Sequence, residues 1–291
     1  MGCVGFLFGK KQYINDASVK SLNGLVLYVA IPCVILRSFQ VPYQTELMHG
    51  LLMCMGSAAI LMLLFYCISG FLVKKLPEDQ AAIYRLSCTL TNSGTLGLPL
   101  QNAILGNMGS FYGSGYVAVM NMLNYSLGVY CLSKGRQRVT IKQILLQPAI
   151  ISIGLSVALF LGQVQLPTIL SETVQALAQL CTPLSMILMG YHLSKKELSH
   201  IFKSSRNWIF AFVRLVALPA VALGVLHILG IRGDLLTAMM IAAACPPASA
   251  VMLLTSRCGR NEELAAEINA MYTILSILTV PVIAAISMSL A

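Results

Sequence analysis

Long apolar stretches alternate with short polar segments from one end of the chain to the other. A helix that crosses the hydrocarbon core of a membrane needs about 20 apolar residues, at about 1.5 Å of rise each. The stretches that reach this length are residues 18–38, 47–73, 80–106, 110–132, 141–162, 168–192, 207–230, 235–256 and 264–289. The pattern therefore predicts an all-α polytopic membrane protein with nine full crossings.

A shorter apolar segment, MGCVGFLFG, precedes these crossings and ends at Lys10 and Lys11. At helical rise it covers roughly 14 Å, about half of the hydrocarbon core. We expect this segment to be the last part of a further helix. The design would then have ten helices, with the first helix truncated in this chain.

The composition fits the same class of protein. The chain is 57% hydrophobic and only 10% charged, whereas a soluble domain carries about 25% charged residues. Its nine cysteines form no CxxC pair and fall mostly in apolar stretches, where a thiol acts as a small hydrophobe. We therefore expect neither a disulfide framework nor a metal site. The sequence also contains no phosphate loop or dinucleotide motif, so we expect no cofactor.

Basic residues gather at one side of the predicted membrane. Of the 19 Lys and Arg residues, 16 fall on that side, and the exceptions are Arg37, Arg214 and Arg232. By the positive-inside rule that side is the cytoplasm. We therefore expect a multi-pass protein of the cell (plasma) membrane with both termini outside. The positions of the basic residues on one side of the membrane account for the net charge of +9. The charge therefore does not indicate a nucleic-acid partner.

Two segments rich in helix-breaking residues interrupt the apolar pattern. They read TNSGTLGLPL at 91–100 and AAACPPASA at 242–250. A shift of 151 residues brings the two segments together and also superimposes Pro32 on Pro183, which we expect to kink their helices. The most basic loop, at 134–142, lies between the two halves. We therefore predict two inverted repeats with opposite orientations in the membrane.

The predicted repeats are residues 1–133 and 134–291. Interrupted helices at matching positions of inverted halves indicate the binding site of a transporter. An unpaired backbone group in hydrocarbon costs several kcal/mol unless protein, water or a ligand satisfies it. The two broken helices are therefore expected to offer backbone groups to something inside the protein.

Anions are the ligands that such breaks attract. A second half-helix that begins near Pro99, or near Pro246 and Pro247, turns its positive N-terminal end toward the membrane centre. The candidate substrate-binding residues are Asn92, Ser93, Gly94, Thr95, Gly97, Pro99, Asn121, Asn124, Cys245, Pro246, Pro247 and Ser249. The alternative is that the small residues only allow helices to pack closely, and that Asn121 and Asn124 bond a neighbouring helix.

The residues around the first break resemble a known signature. Asn92, Gly94, Gly97 and Pro99 fit the pattern N-x-G-x-x-G-x-P of the auxin efflux carrier family, and the segments CPPA and LVLYVAIP are similar to that family too. The resemblance covers essentially the whole chain and is to the compact bacterial type, within the group of bile-acid, arsenite and riboflavin transporters.

The resemblance implies two inverted five-helix repeats with crossed, broken helices four and nine. It also implies a homodimer in the lipid bilayer that exports small organic anions, such as malonate, malate or auxin-like acids, by alternating access. Helices three to five and eight to ten would move against helices one, two, six and seven. Nothing in the resemblance suggests an enzyme.

Three other readings stay open at this point. A sodium-coupled importer of the bile-acid carrier type is disfavoured because no Asp or Glu lies at the centre of a predicted crossing. A membrane-embedded enzyme would need a base beside Ser114 in the segment GSGY, and no histidine lies at that depth. A channel would lack the saturable transport of a carrier. Arg214, the one charge inside a crossing, is expected to snorkel to the interface or to pair with Glu267.

Overall fold

The computed structural model describes residues 2–133, 140–194, 202 and 204–290. Across these ranges the chain is helical apart from short links and one isolated bridge between Thr91 and Pro247. The α-helices, numbered here in chain order, are α1 (Gly2–Lys10), α2 (Asp16–Leu25), α3 (Ile31–Ser38), α4 (Thr45–Leu72), α5 (Glu78–Thr89), α6 (Leu98–Leu123), α7 (Val129–Leu132), α8 (Ile141–Leu145), α9 (Pro148–Leu161), α10 (Thr168–Gln179), α11 (Cys181–Ser194), α12 (Ser205–Phe212), α13 (Leu218–Ile228), α14 (Gly233–Ala244), α15 (Ser249–Arg257) and α16 (Glu262–Ser289).

π-helical turns join several of these helices. Within the described ranges they are Val26–Ala30, Ser93–Gly97, Asn124–Gly128 and Val213–Ala217. Three of the turns end two residues before a proline: Pro32, Pro99 or Pro219. Proline has no N–H to donate, and its ring clashes with the carbonyl four residues earlier. The wider π turn relieves that clash without ending the helix, so α2 continues into α3 and α12 into α13.

Five helices are long and apolar enough to cross a membrane, by length and composition, in the part of the chain that the structure describes. They are Ala17–Ser38, Thr45–Leu72, Thr168–Tyr191, Ser205–Ile228 and Glu262–Ser289. The helix at 168–191 is kinked at Leu180, three residues before Pro183.

Of the nine predicted crossings, 80–106 and 235–256 are interrupted at 90–92 and 245–248, within or beside the segments where the sequence predicts breaks. Two others, 110–132 and 141–162, are not among the five long apolar helices of the described residues. The stretch 141–162 restarts at Pro148, whereas 110–132 is continuous and helical but carries polar side chains along its length.

A sharp reversal divides α6 at Gly106, whose φ of 61° and ψ of −144° are not helical. A Cβ added to Gly109 would lie 2.3 Å from the carbonyl oxygen of Gln101. Eight residues of straight helix would hold these positions about 12 Å apart, so the chain must fold back on itself. We call residues 98–105 the first arm and residues 107–123 the second arm of α6.

Buried apolar side chains form two clusters. The first draws on α4 to α7 and α12 to α16, and the second on α2, α3, α9, α10 and α11. A few side chains of α4 and α6, such as Leu51, Leu98 and Phe111, belong to the second cluster and join the two. Phe39, Phe111 and Phe160 meet there with ring centroids 4.5 to 6.0 Å apart. Since α4 and α6 contribute to both clusters, the clusters separate the helices only in part.

The short helix α1 lies directly against α11. A Cβ on Gly5 would be 2.1 Å from the carbonyl oxygen of Ile187, so the two backbones touch at this point. Glycine permits that approach because it has no side chain, as at many helix contacts in membranes. The nine-residue segment is thus integrated into the second group of helices.

Candidate functional site

The two interruptions meet in space. Thr91 and Pro247 form an antiparallel bridge. The Asn92 N–H donates to the Pro246 carbonyl at 2.7 Å, and the Ala248 N–H donates to the Leu90 carbonyl at 3.0 Å. Each break therefore provides hydrogen-bond partners for backbone groups of the other. The hydrocarbon of a membrane offers no such partners.

The two breaks differ in where their prolines lie. Pro99 is in the first turn of α6, as predicted, although the π turn Ser93–Gly97 already begins the half-helix. Pro246 and Pro247 lie in the extended link, and α15 begins at Ser249, near the two prolines as predicted. A residue before proline avoids helical angles, and Cys245 accordingly has φ −56° and ψ 148°.

The paired backbones are locally two-fold symmetric. A shift of 156 residues carries Asn92 onto Ala248 and Leu90 onto Pro246, and so exchanges the two hydrogen bonds. Every antiparallel pair of this kind has the same local symmetry, so the shift of 151 residues between the repeats stays a prediction from sequence.

We call the place where the two breaks pair the crossing. Arg214 lies at the crossing and is fully buried. Its Nη1 donates to the Ala243 carbonyl at 2.9 Å, and its Nη2 donates to the Cys245 carbonyl. These carbonyls close the C-terminal end of α14, where unpaired acceptors and the negative end of the helix dipole favour a cation. The prediction that Arg214 snorkels to the interface or pairs with Glu267 is wrong, because the break offers it acceptors inside the protein.

No carboxylate among the described residues lies within ion-pair distance of Arg214. Its Nε is buried without a hydrogen-bond partner in that part of the chain, as are the hydroxyls of Ser93 and Tyr272. A buried cation to which no described residue supplies a counter-ion therefore lies at the crossing.

Asn92 starts the second half of the first broken helix. Its carbonyl accepts the N–H groups of Leu96 at 3.1 Å and Gly97 at 3.2 Å, and its side-chain Oδ1 accepts the Thr95 hydroxyl. Asn92 and Thr95 are half-buried, whereas Ser93 is fully buried. The N–H groups of Ser93, Gly94 and Thr95 are the first of this half-helix and lack intrahelical partners.

The two glycines of the signature face different neighbours. A Cβ on Gly97 would lie 3.3 Å from the Cys245 sulfur, which indicates close packing of the two broken helices. A Cβ on Gly94 would lie 4.0 Å from a methyl carbon of Ile31 in α3 and equally far from one of Val117. Gly97 therefore contributes to the contact at the crossing, and Gly94 lies where the two groups of helices meet.

The remaining candidates lie around the same region. Asn121 is one helical turn beyond Val117 and donates its Nδ2 to the Val117 carbonyl at 3.0 Å. Asn124 is buried, and its Oδ1 has no hydrogen-bond partner among the described residues. Ser249 is half-buried at the first position of α15.

A cavity of about 160 Å³ lies beside the crossing, between the two groups of helices. Its lining is formed by Val34, Arg37, Pro99, Asn102, Asn107, Ser110, Ala178, Gln179 and Thr182. Pro99 connects it to the first half-helix. Arg37 places a second cation near the break, on the side where α3 ends.

Arg37 and Arg214 are functional candidates that the sequence analysis did not include among the binding residues. Both belong to the three exceptions in the distribution of basic residues. Because neither arginine lies with the basic residues that determine orientation, this position in the sequence could have identified both as candidates. What the sequence could not provide is their acceptors, because these lie 29 and 31 residues from Arg214.

Comparison with known proteins gives a consistent result. The model of a family described as membrane transport protein matches residues 1–143 and 135–284. An uncharacterized transporter of Methanocaldococcus jannaschii is 24% identical over 265 residues, covering 86% of this chain and 84% of that protein. An uncharacterized transporter of Methanothermobacter thermautotrophicus is 25% identical over 285 residues, covering 96% and 92%.

Proposed function

The chain belongs to the membrane transport protein family, of auxin efflux carrier type, and we propose that it is a secondary transporter that exports small organic anions by alternating access. The observation that carries the proposal is the pairing of two broken helices through the backbones of Asn92 and Pro246. Breaks of this kind survive in a membrane where they serve a site.

Electrostatics favour an anion at the crossing. The first half-helix presents its unpaired N–H groups at Ser93, Gly94 and Thr95, and such ends attract negative charge. Arg214 adds a buried positive charge for which no described residue supplies a carboxylate. A carboxylate substrate would neutralise this positive charge, so that no acidic side chain of the protein is needed.

The two apolar clusters support the proposed motion. Alternating access requires two bodies that each keep their own core, and the clusters divide the helices in part into such groups. The crossing belongs to the first group, while α2, α3, α9, α10 and α11 face it. The proposed division into inverted repeats at 1–133 and 134–291 is compatible with the two matched segments, which meet in the same region.

We further propose ten-helix topology, a location in the cell (plasma) membrane with both termini outside, and a homodimeric assembly. Export needs no coupling ion if the substrate is an anion. A membrane potential of 100 mV, negative inside, favours outward movement of one negative charge by about 2.3 kcal/mol.

The test is efflux from liposomes that contain the purified protein and are loaded with labelled malonate, malate or indole-3-acetate. We expect saturable efflux of at least one acid, faster when the interior is negative, and absent from protein-free liposomes. Competition by a neutral amide analogue as strong as that by the acid would contradict the anion site. Uptake that requires an inward sodium gradient would instead indicate a sodium-coupled importer.

A further inference from the structure

The cavity beside the crossing contains Arg37, for which the described residues supply no hydrogen-bond or ion-pair partner. We infer that this cavity is the recognition site for a small carboxylate, in which Arg37 pairs with the carboxylate group and Ser110 donates a hydrogen bond. The inference rests on the proposed transport of organic anions and names the residues and the size of substrate that the site would accept.

Arg37 differs from the other arginines of the structure. Arg85, Arg206, Arg214, Arg232 and Arg260 each donate hydrogen bonds to carbonyl or side-chain oxygens, or to a histidine nitrogen. Among the arginines whose side chains the structure describes, Arg37 alone has no such partner, although it is half-buried. A guanidinium offers five N–H donors in a planar fork that matches a carboxylate.

Ser110 is a second, independent indication of a ligand. Its side chain is 1% exposed and lines the cavity, and its hydroxyl has no hydrogen-bond partner in the described part of the chain. Serines in membrane helices usually donate to a carbonyl one turn earlier, as Ser114 does to Phe111 at 2.7 Å. An unsatisfied buried hydroxyl costs about 1–3 kcal/mol. A ligand that forms a hydrogen bond with the Ser110 hydroxyl would remove this cost.

The rest of the lining suits the same ligand. Asn102, Asn107, Gln179 and Thr182 supply neutral donors, and the lining residues that the structure describes include no acidic side chain. Charge and hydrogen bonding therefore both favour a negative group over a positive one.

The volume limits the size of the substrate. The cavity measures about 160 Å³. Sites for drug-sized ligands occupy about 300–1,000 Å³. The cavity therefore favours acids of a few carbons, such as malonate or lactate, over bulky amphipathic acids.

The position of the cavity assigns it to one side of the membrane. α2 and α3 form one helix with Lys20 near one end and Arg37 near the other. Lys20 belongs to the basic side, so Arg37 lies on the side opposite the basic loops. In the proposed orientation the site is the one from which an exported acid is released, and the one that an external acid can occupy.

The experiment is calorimetric binding of malonate, lactate, malonamide, inorganic phosphate and a bile acid to purified protein in detergent or nanodiscs. Arg37→Gln is the main variant, with Arg37→Lys and Ser110→Ala beside it. The matched control is Arg232→Gln, another arginine on the same side but exposed and outside the cavity. Thermal unfolding without ligand verifies that the variants are folded.

We expect Arg37→Gln to weaken binding of malonate or lactate at least tenfold and Ser110→Ala to weaken it a few fold. Arg37→Lys should retain part of the affinity, because it keeps the charge but loses the fork, and Arg232→Gln should bind as the wild type does. Malonamide and the bile acid should bind much more weakly than malonate.

Three results would overturn the inference. Equal affinity of Arg37→Gln and wild type would remove Arg37 from the site while leaving the proposed transport intact. Phosphate binding as tight as malonate binding would make the cavity a general anion site. If no acid binds the wild type and none is transported, the proposed function itself fails together with this site.

Discussion

Thr91 and Pro247 face each other across a single antiparallel bridge, although they belong to different halves of the chain. The hydrogen bonds flank the pair, from Asn92 to Pro246 and from Ala248 to Leu90. The two residues are therefore a non-hydrogen-bonded pair, in which Cα atoms lie about 4.5 Å apart. This contact holds the two broken helices together at the site where we propose that the substrate binds.

A disulfide between these positions should form readily. The expected Cα separation falls within the range of about 4.4–6.8 Å that disulfides require. In a variant whose nine native cysteines are replaced, Thr91→Cys combined with Pro247→Cys should cross-link on mild oxidation. A specific protease site placed at 134–139 makes the result visible, because cross-linked halves migrate together until they are reduced. The single-cysteine variants are the controls, and halves that separate in the double variant as they do in the controls would contradict the bridge.

Loss of Arg214 should destabilise the protein. Arg214→Met would leave the carbonyls of Ala243 and Cys245 buried without their donors, at a cost of about 1–3 kcal/mol for each group. We expect a clearly lower midpoint of thermal unfolding and loss of transport. Arg206→Met is the matched control, since Arg206 is exposed on the same helix, and its midpoint should change little. Equal midpoints for both variants would show that the buried hydrogen bonds do not stabilise the crossing.

Gly97 should tolerate no added bulk, whereas Gly94 should tolerate a methyl group. A Cβ on Gly97 would lie 3.3 Å from the Cys245 sulfur, and one on Gly94 would lie 4.0 Å from its nearest neighbours. Gly97→Val overpacks the crossing, which costs about 1–3 kcal/mol, or about five- to 150-fold in the population of the paired state. Transport by proteoliposomes should fall accordingly for Gly97→Val and remain near wild type for Gly94→Ala. Transport that survives Gly97→Val would argue against a close contact between the broken helices.

The reversal at Gly106 depends on a neighbouring glycine. In Gly109→Ala the new methyl group would lie 2.3 Å from the backbone oxygen of Gln101, which cannot move independently of its helix. We expect poor yield of folded protein and a lower unfolding midpoint. Gly56→Ala is the control, because a Cβ there meets nothing within 4 Å and alanine favours a helix over glycine by about 1 kcal/mol. A stable Gly109→Ala protein would show that the two arms of α6 lie farther apart than described.

The Tyr84 hydroxyl stabilises the contact between α5 and α12. It donates to the Oδ1 of Asn207, and the Tyr84 ring stacks on Phe210 with centroids 4.4 Å apart. Tyr84→Phe keeps the stacking but leaves the buried amide unpaired, so the free energy of unfolding should fall by about 1–3 kcal/mol. Tyr130→Phe, where the side chain is 62% exposed, should leave the unfolding midpoint unchanged. Identical effects of the two substitutions would assign no stability to the buried hydroxyl.

Much of the fold could be predicted from local sequence. The breaks at 91–100 and 242–250 were indicated by their glycines and prolines, and the bend near Leu180 by Pro183. The pairing of the two breaks with each other could not be predicted, because it joins residues that are distant in the chain. Pro99 lies in a helical turn, whereas Pro247 lies in an extended link.

The candidate site was only partly visible for the same reason. The signature around Asn92 indicated one of the two broken helices. The π turn at Ser93–Gly97 and the reversal at Gly106, which the sequence did not indicate, determine which groups face the cavity. Arg37 and Arg214 were recognised only as unusual charges. Their roles depend on acceptors and empty space supplied by other helices.

By itself, the sequence determined that this chain is a helical membrane protein with two interrupted segments, since the length of an apolar stretch and the backbone preferences of glycine and proline are local properties. The tertiary structure alone decided that the interruptions pair with each other, that Arg214 is buried at α14, and that Arg37 lines a cavity where no described residue pairs with it. Hydrogen bonds and cavities are formed between residues distant in the chain, and only the packing of the helices brings those residues together.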